Sequence, residues 1–185
     1  TLSNQFRPHF ILNSLNTIDE DLKDKPATET VISRLGESIN LIFNHAQQKT
    51  ITHGFKNEWH LVENIIQIHR VMYLPNLQVG YPDNDWMLQN MGLQLPMGIL
   101  EIFVENALLH GLRNRKNSPY ILTITAKDDE INNCFTISDN GIGRSNAINL
   151  SNHKGHGMAT KNITEILAIL NKYNKNGIEI IYQDN

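Results

Sequence analysis

At 185 residues, with 40% hydrophobic and 19% charged residues, the chain has room for one ordinary domain or two small ones with a packed core, which excludes a disordered chain. A formal net charge of −3 leaves no electrostatic footprint for nucleic acid, and no basic run points to a membrane surface. The single cysteine, Cys134, can close no intramolecular disulfide and fits a reducing compartment.

No apolar run reaches the roughly 20 residues that span a bilayer, and no signal-peptide pattern opens the chain. The sequence starts at Thr1 inside a helical pattern and without an initiator Met, so it is expected to be a fragment. Any membrane attachment would then come through upstream segments.

From Leu2 to about Leu22, the residues Ile11, Leu15, Ile18 and Leu22 draw one apolar stripe along a helix. A second stripe, Ile32, Leu35, Ile39, Ile42 and Ala46, has the a/d spacing of a helical seam. Asp24-Lys25-Pro26 between them reads as a turn, giving a helical hairpin. Two helices cannot enclose both stripes, which predicts a homodimer through a four-helix bundle.

After Gly54 the pattern changes to an α/β sandwich. Glu58 to Tyr73 is expected to be a helix, Leu77 to Tyr81 a strand, and Pro96 to about Leu112 a helix with Pro in its first turn. Tyr120 to Ala126 and Cys134 to Ser138 form a hairpin around Asp128-Asp129-Glu130. A Gly-rich loop from Asp139 to Gly157, a helix from about Met158 to Tyr173 and a strand from Ile178 to Tyr182 complete the chain. The domains are expected at 1–56 and 57–185.

Three clusters carry candidate chemistry. In the first, Pro8 interrupts a helix at a cost of about 3 kcal/mol and loosens the turn that holds His9. A solvated surface histidine is the ordinary reading, yet neutral imidazole is also a nucleophile ready near pH 7. Asn13 follows one turn later on the same face and could position a water or a phosphate oxygen.

In the second cluster, Glu105, Asn106 and His110 interrupt the apolar run Ile99, Ile102, Phe103, Val104, Ala107 and Leu108. They are either the polar edge of an amphipathic helix or a site. As a site, Asn106 offers a hard oxygen to Mg²⁺, Glu105 binds a metal-bound water or acts as a base, and His110 contacts phosphate.

The third cluster, Asp139-Asn140-Gly141-Ile142-Gly143, follows a strand, and its glycines let a ligand approach the backbone closely. The Asp139 carboxylate can accept a hydrogen bond from an amino group such as that of adenine. Gly155 and Gly157 open a helix whose free N–H groups suit a phosphate. Neither a Walker loop nor a Rossmann fingerprint occurs.

In this order the clusters resemble the LytS-like histidine kinases, whose nucleotide domain has the Bergerat (GHKL) ATPase fold. "QFRPHFILNSLNTI", Gln5 to Ile18, is similar to the family's phosphoacceptor box, and His9 matches the phosphorylated histidine. "LPMGILEIFVENALLHG", Leu95 to Gly111, resembles the N box, with Asn106 at the Mg²⁺ ligand and Glu105 at the neighbouring acid. "DNGIG" resembles the first glycine box, in which Asp139 matches the adenine reader and Gly141 and Gly143 the glycines. "GHGMATKNI", containing Gly155, Gly157 and Met158, resembles the second.

The resemblance implies ATP and Mg²⁺, autophosphorylation of His9, and transfer of the phosphoryl group to an aspartate of a response-regulator receiver domain. It further implies the cytoplasmic domain of an inner-membrane sensor. Arg7 stands where the family has Asn before Pro-His, and Leu109 where a basic residue precedes the N-box histidine; Arg113 or Lys154 would replace that phosphate contact. The family's last strand is expected to be missing after Asn185. Two alternatives are a degenerate kinase that acts as a dimeric scaffold and another Bergerat-type ATPase in which His9 is dispensable.

Overall fold

The computed structural model describes residues 26–48, 50–128, 132–144, 146, 158–172 and 177–183. The first helix of the expected hairpin, the 129–131 turn and most of the loop before Met158 lie outside these residues. The described part is helical at its N-terminal end and then becomes a small α/β region. It divides into two compact units, residues 26–77 with 88–105, and residues 78–87 with 106–183.

In the first unit, α1 (Pro26–Gln48) opens on a proline whose fixed φ suits a first helical position, with Glu29 in its first turn against the helix dipole. Its residues Val31 and Leu35 pack on Ile68, flanked by Val71 and Met72, from α2 (Phe55–Met72). The expected seam is therefore split. Leu35 faces α2, whereas Ile32, Ile39 and Phe43 are 50%, 40% and 63% exposed. A helix turns about 100° per residue, so Val31 and Ile32 begin two separate stripes, and α2 takes the first.

Helix α2 is buried on every side but one. Lys56, His60, Glu63, Gln67 and Arg70 recur at helical spacing and form its polar stripe, while Phe55, Trp59, Leu61, Val62, Ile65 and Ile66 are core. Buried Asn64 is satisfied from α1: its Nδ2 donates to Ser38 Oγ at 3.1 Å and its Oδ1 accepts from Arg34 at 3.4 Å. Two short strands, unforeseen in the sequence, pair antiparallel beside it: β1 (Thr52–Gly54) and β3 (Gln94–Pro96), with His53 opposite Leu95. Helix α4 (Ile99–Asn106) follows β3.

In the second unit a three-stranded sheet has the order β2 (Leu77–Gly80), β4 (Tyr120–Asp128), β5 (Asn133–Asp139). Strands β4 and β5 pair antiparallel from Leu122 opposite Asp139 to Asp128 opposite Asn133. Leu122, Ile124 and Ala126 alternate onto one face and are buried, as the period of a half-buried strand requires. A π-helical turn, Ala107–Leu112, packs on both strands with Leu108 and Leu112 buried. From the short helix α3 (Asn84–Gln89), Trp86 donates Nε1–H to Asp128 at 2.6 Å and stands edge-on to Phe135.

The helix predicted from Met158 is α5 (Met158–Asn171). The strand expected over Ile178 to Tyr182 does not form; residues 177–183 are irregular. A strand needs a neighbour to take its ladder hydrogen bonds. Here the Asn171 side chain instead receives the Ile178 N–H at 2.7 Å and donates to the Ile178 carbonyl at 3.0 Å. Tyr182 lies under the Arg144 guanidinium, 3.7 Å from ring centroid to Cζ.

Candidate functional site

The second unit brings Gly111 onto the loop that follows Asp139. Asp139 is the last residue of β5, and its Oδ1 accepts the Gly141 N–H at 2.8 Å. The Ile142 N–H then donates to the Gly111 carbonyl at 3.3 Å. The two segments approach so closely that a side chain at either glycine would collide with the other segment. A Cβ on Gly111 would lie 2.9 Å from Asp139 Cγ, and one on Gly141 would lie 2.5 Å from Gly111 Cα. This close approach is the physical reason for a glycine in each segment.

Asn140, between Asp139 and Gly141, is the clamp that sequence reading passed over. Its backbone N–H donates to the Ile121 carbonyl at 3.1 Å, its Oδ1 accepts the Ile121 N–H at 2.9 Å, and its Nδ2 donates to the Pro119 carbonyl at 3.0 Å. Arg115 adds a bond to the Asn140 carbonyl and another to the Asn117 carbonyl at 2.7 Å. An Asx-type residue before Gly after a strand was the available signal for this role.

Asn106 precedes the π-turn, and His110 lies within it, both half-buried. The change from α to π hydrogen bonding lies between them, and the Arg113 N–H to Leu108 carbonyl bond at 2.9 Å is of the π type. Single π-turns inside helices recur at functional sites. Asn114 Nδ2 closes the turn by donating to the Leu109 and His110 carbonyls at 3.2 and 3.0 Å. Glu105 is buried, Gly143 is exposed and Arg113 is exposed.

His9, Asn13, Lys154, Gly155 and Gly157 lie outside the described residues, and Met158 is placed only as the first residue of α5. The structure thus joins Gly111, Asp139 and Gly141. Withdrawal of water from the Asp139 carboxyl group raises its pKa above the ordinary 3.8, and the Gly141 N–H offsets this in part. Among the described residues no group of three or more His, Cys, Asp or Glu side chains could hold a metal. A Mg²⁺ bound mainly by phosphate and water needs few protein oxygens, of which the Asn106 amide could supply one.

A second polar cluster, unforeseen in the sequence, lies in the first unit. Glu58, 0% exposed, accepts hydrogen bonds from three backbone N–H groups at the start of α4 and sits beside His53. Its signal was positional, because it falls three residues after Phe55 and four before Val62 on an apolar stripe.

Comparison with known proteins finds histidine kinases. Residues 1–77 match the family model described as histidine kinase. The chain is 26% identical over 177 residues to Sensor protein LytS of Streptococcus agalactiae, covering 91% of this chain and 29% of that protein. It is 29% identical over 147 residues to Sensor protein LytS of Staphylococcus epidermidis, covering 77% of this chain and 23% of the relative. An uncharacterized sensor-like histidine kinase of Staphylococcus epidermidis is 28% identical over 147 residues, covering 78% of this chain and 27% of its own length. The chain thus spans less than a third of the length of these three relatives. No helix among the described residues is long and apolar enough to cross a membrane. Matched in its first 77 residues to the histidine kinase model and along most of its length to LytS, the chain is similar to the LytS-like sensor histidine kinases.

Proposed function

We propose that the chain is the kinase core of a sensor protein: it binds ATP, phosphorylates its own His9, and passes the phosphoryl group to a response-regulator aspartate. The observation that carries this reading is the packing of Gly111, from the N-box segment, against Asp139 and Gly141 of the glycine loop. Two motifs far apart in sequence meet where a nucleotide has to be held.

In this reading residues 1–56 form the dimerising phosphoacceptor hairpin, paired with a second copy as a four-helix bundle, and residues 57–185 form the Bergerat-type nucleotide domain. The exposed Ile32, Ile39 and Phe43 stripe supports a helical partner on α1. Asp139 has one oxygen engaged by Gly141, and its carboxylate would accept a hydrogen bond from the adenine amino group. Asn106 and the neighbouring Glu105 would hold Mg²⁺, which would supply positive charge to neutralise the phosphates. His110, Lys154 and the Gly155 to Gly157 turn contact phosphate, and residues 144–154 close over the nucleotide. His9 supplies the attacking nitrogen, and the chief work of the protein is to align it with the γ-phosphate. Asn13 would orient water in a phosphatase reaction toward the same regulator. The parent protein is expected to be a membrane sensor.

The test is incubation of the purified chain with Mg²⁺ and γ-labelled ATP, alongside His9→Ala and Asn106→Ala. Acid-labile, alkali-stable label that both substitutions abolish is the expected result. Nucleotide binding without label would instead support the scaffold reading.

A further inference from the structure

Helix α4 begins without a cap of its own. Its first turn is held by Glu58, a buried carboxylate from α2: Oε2 accepts the Gly98 N–H at 2.8 Å, and Oε1 accepts those of Leu100 at 2.7 Å and Glu101 at 3.3 Å. Helix starts leave such N–H groups without intrahelical partners and carry a positive dipole end, so a carboxylate there binds strongly. Gly98 adopts φ +75°, which turns its N–H toward Glu58 at the exit from β3.

The same carboxylate is tied to α1. His53 Nε2 lies 2.5 Å from Glu58 Oε2, and the ring of buried His45, in the last turn of α1, lies 5.3 Å from that of His53. The backbone follows the same path, because β1 pairs with β3 and the Met97 N–H donates to the Ile51 carbonyl at 3.3 Å. The segment that leaves α1 therefore touches the segment that enters α4 through both side chains and main chain.

We propose that Glu58 is a positioning residue of the nucleotide site: it fixes the axial position of α4, and hence of Glu105 and Asn106, while His53 and His45 link that carboxylate to the end of α1. The inference rests on the nucleotide-site reading of Asn106 given above. Removal of the carboxylate alone leaves three donors and an imidazole around an uncharged amide, so Glu58→Gln keeps the volume and changes only the interaction.

The test uses the full chain with Glu58→Gln, His53→Gln and, as a control, Leu35→Ala, which loosens the α1–α2 contact without touching α4. Melting temperature, Mg-ATP dissociation constant by calorimetry and amide exchange over residues 98–106 are measured together. Glu58→Gln is expected to weaken Mg-ATP binding roughly tenfold, the scale of one charge-assisted hydrogen bond, and to lose amide protection over 98–106. His53→Gln should shift both readouts in the same direction by less. Leu35→Ala, with a fall in melting temperature of the same size or larger, should leave both near wild type. If the losses in Glu58→Gln and His53→Gln merely track melting temperature on the Leu35→Ala scale, Glu58 is structural and the proposal is overturned. A wild-type chain that binds no Mg-ATP would overturn the nucleotide reading instead, and unchanged protection over 98–106 in both variants would still overturn the Glu58 anchor. If Glu58→Gln does not fold, His53→Gln decides by the same two readouts.

Discussion

Three glycine-to-alanine substitutions should order themselves by what the new methyl group meets. On Gly36, in the middle of α1, a Cβ meets nothing within 4 Å. Alanine there should stabilise by about 0.5–1 kcal/mol, through better helix propensity and a less flexible unfolded chain. On Gly111 the Cβ meets the Asp139 carboxyl group, with Cγ at 2.9 Å and Oδ2 at 3.2 Å. That side chain can rotate away only by giving up the Gly141 N–H at 2.8 Å, so the expected cost is about 1–3 kcal/mol. On Gly141 the Cβ meets the Gly111 backbone itself, with Cα at 2.5 Å, and main chain cannot rotate away. This cost should be the largest of the three, about 3 kcal/mol or more. Urea denaturation of each variant gives the order directly, and Mg-ATP titration should show nucleotide binding lost in step at Gly111 and Gly141 but not at Gly36. A Gly141→Ala chain within 0.5 kcal/mol of wild type, about the spread of ordinary surface substitutions, would refute the close approach of the two segments.

Other expectations concern charge and surface. Burial, and then the neighbouring His53, lower the His45 pKa below its ordinary 6.5, against the Thr50 backbone and Glu58, which raise it. The unfolded chain then binds the proton better, so stability should fall as pH drops below about 6.5 toward the depressed folded value, and His45→Gln should flatten that acid limb in urea midpoints. For Asp139 the folded pKa is raised, so the neutral form is favoured by folding and stability is lost as pH rises through the raised value. Asp139→Asn should remove that loss while weakening Mg-ATP by about tenfold or more, since the charged acceptor proposed to read adenine is gone; retained affinity would reject the role. Ile39→Asp with Phe43→Asp should convert the proposed dimer to a monomer in light scattering, with a change of about 0.5 kcal/mol or less per site in the stability of the unit, because both side chains are exposed.

The elements with strong local patterns were legible in the sequence. The alternation of Leu122, Ile124 and Ala126 marks β4, and the helices at Phe55–Met72 and Met158–Asn171 follow their spacing to within a few residues. Three elements were not: β1, β3 and α3 are three to six residues long, too short for periodicity to rise above chance. Ile178 to Tyr182 shows the opposite failure. Its alternation is that of a strand, but a strand exists only with a neighbour, and Asn171 holds its start instead.

Motif order, as a property of the chain itself, was determined by the sequence: His9, then Glu105 and Asn106, then Asp139 with its glycines, and this order points to the family. Which of these residues meet, and what holds them, was decided only by tertiary structure. Gly111 lies 30 residues before Gly141, and nothing local to either states that their backbones touch. Likewise Glu58 reads in sequence as one acid among others, and becomes an anchor only when folding places its carboxylate against the first turn of a helix 40 residues later. Local propensity acts within a few residues, whereas close approach and buried charge depend on neighbours that the chain supplies only after it has folded.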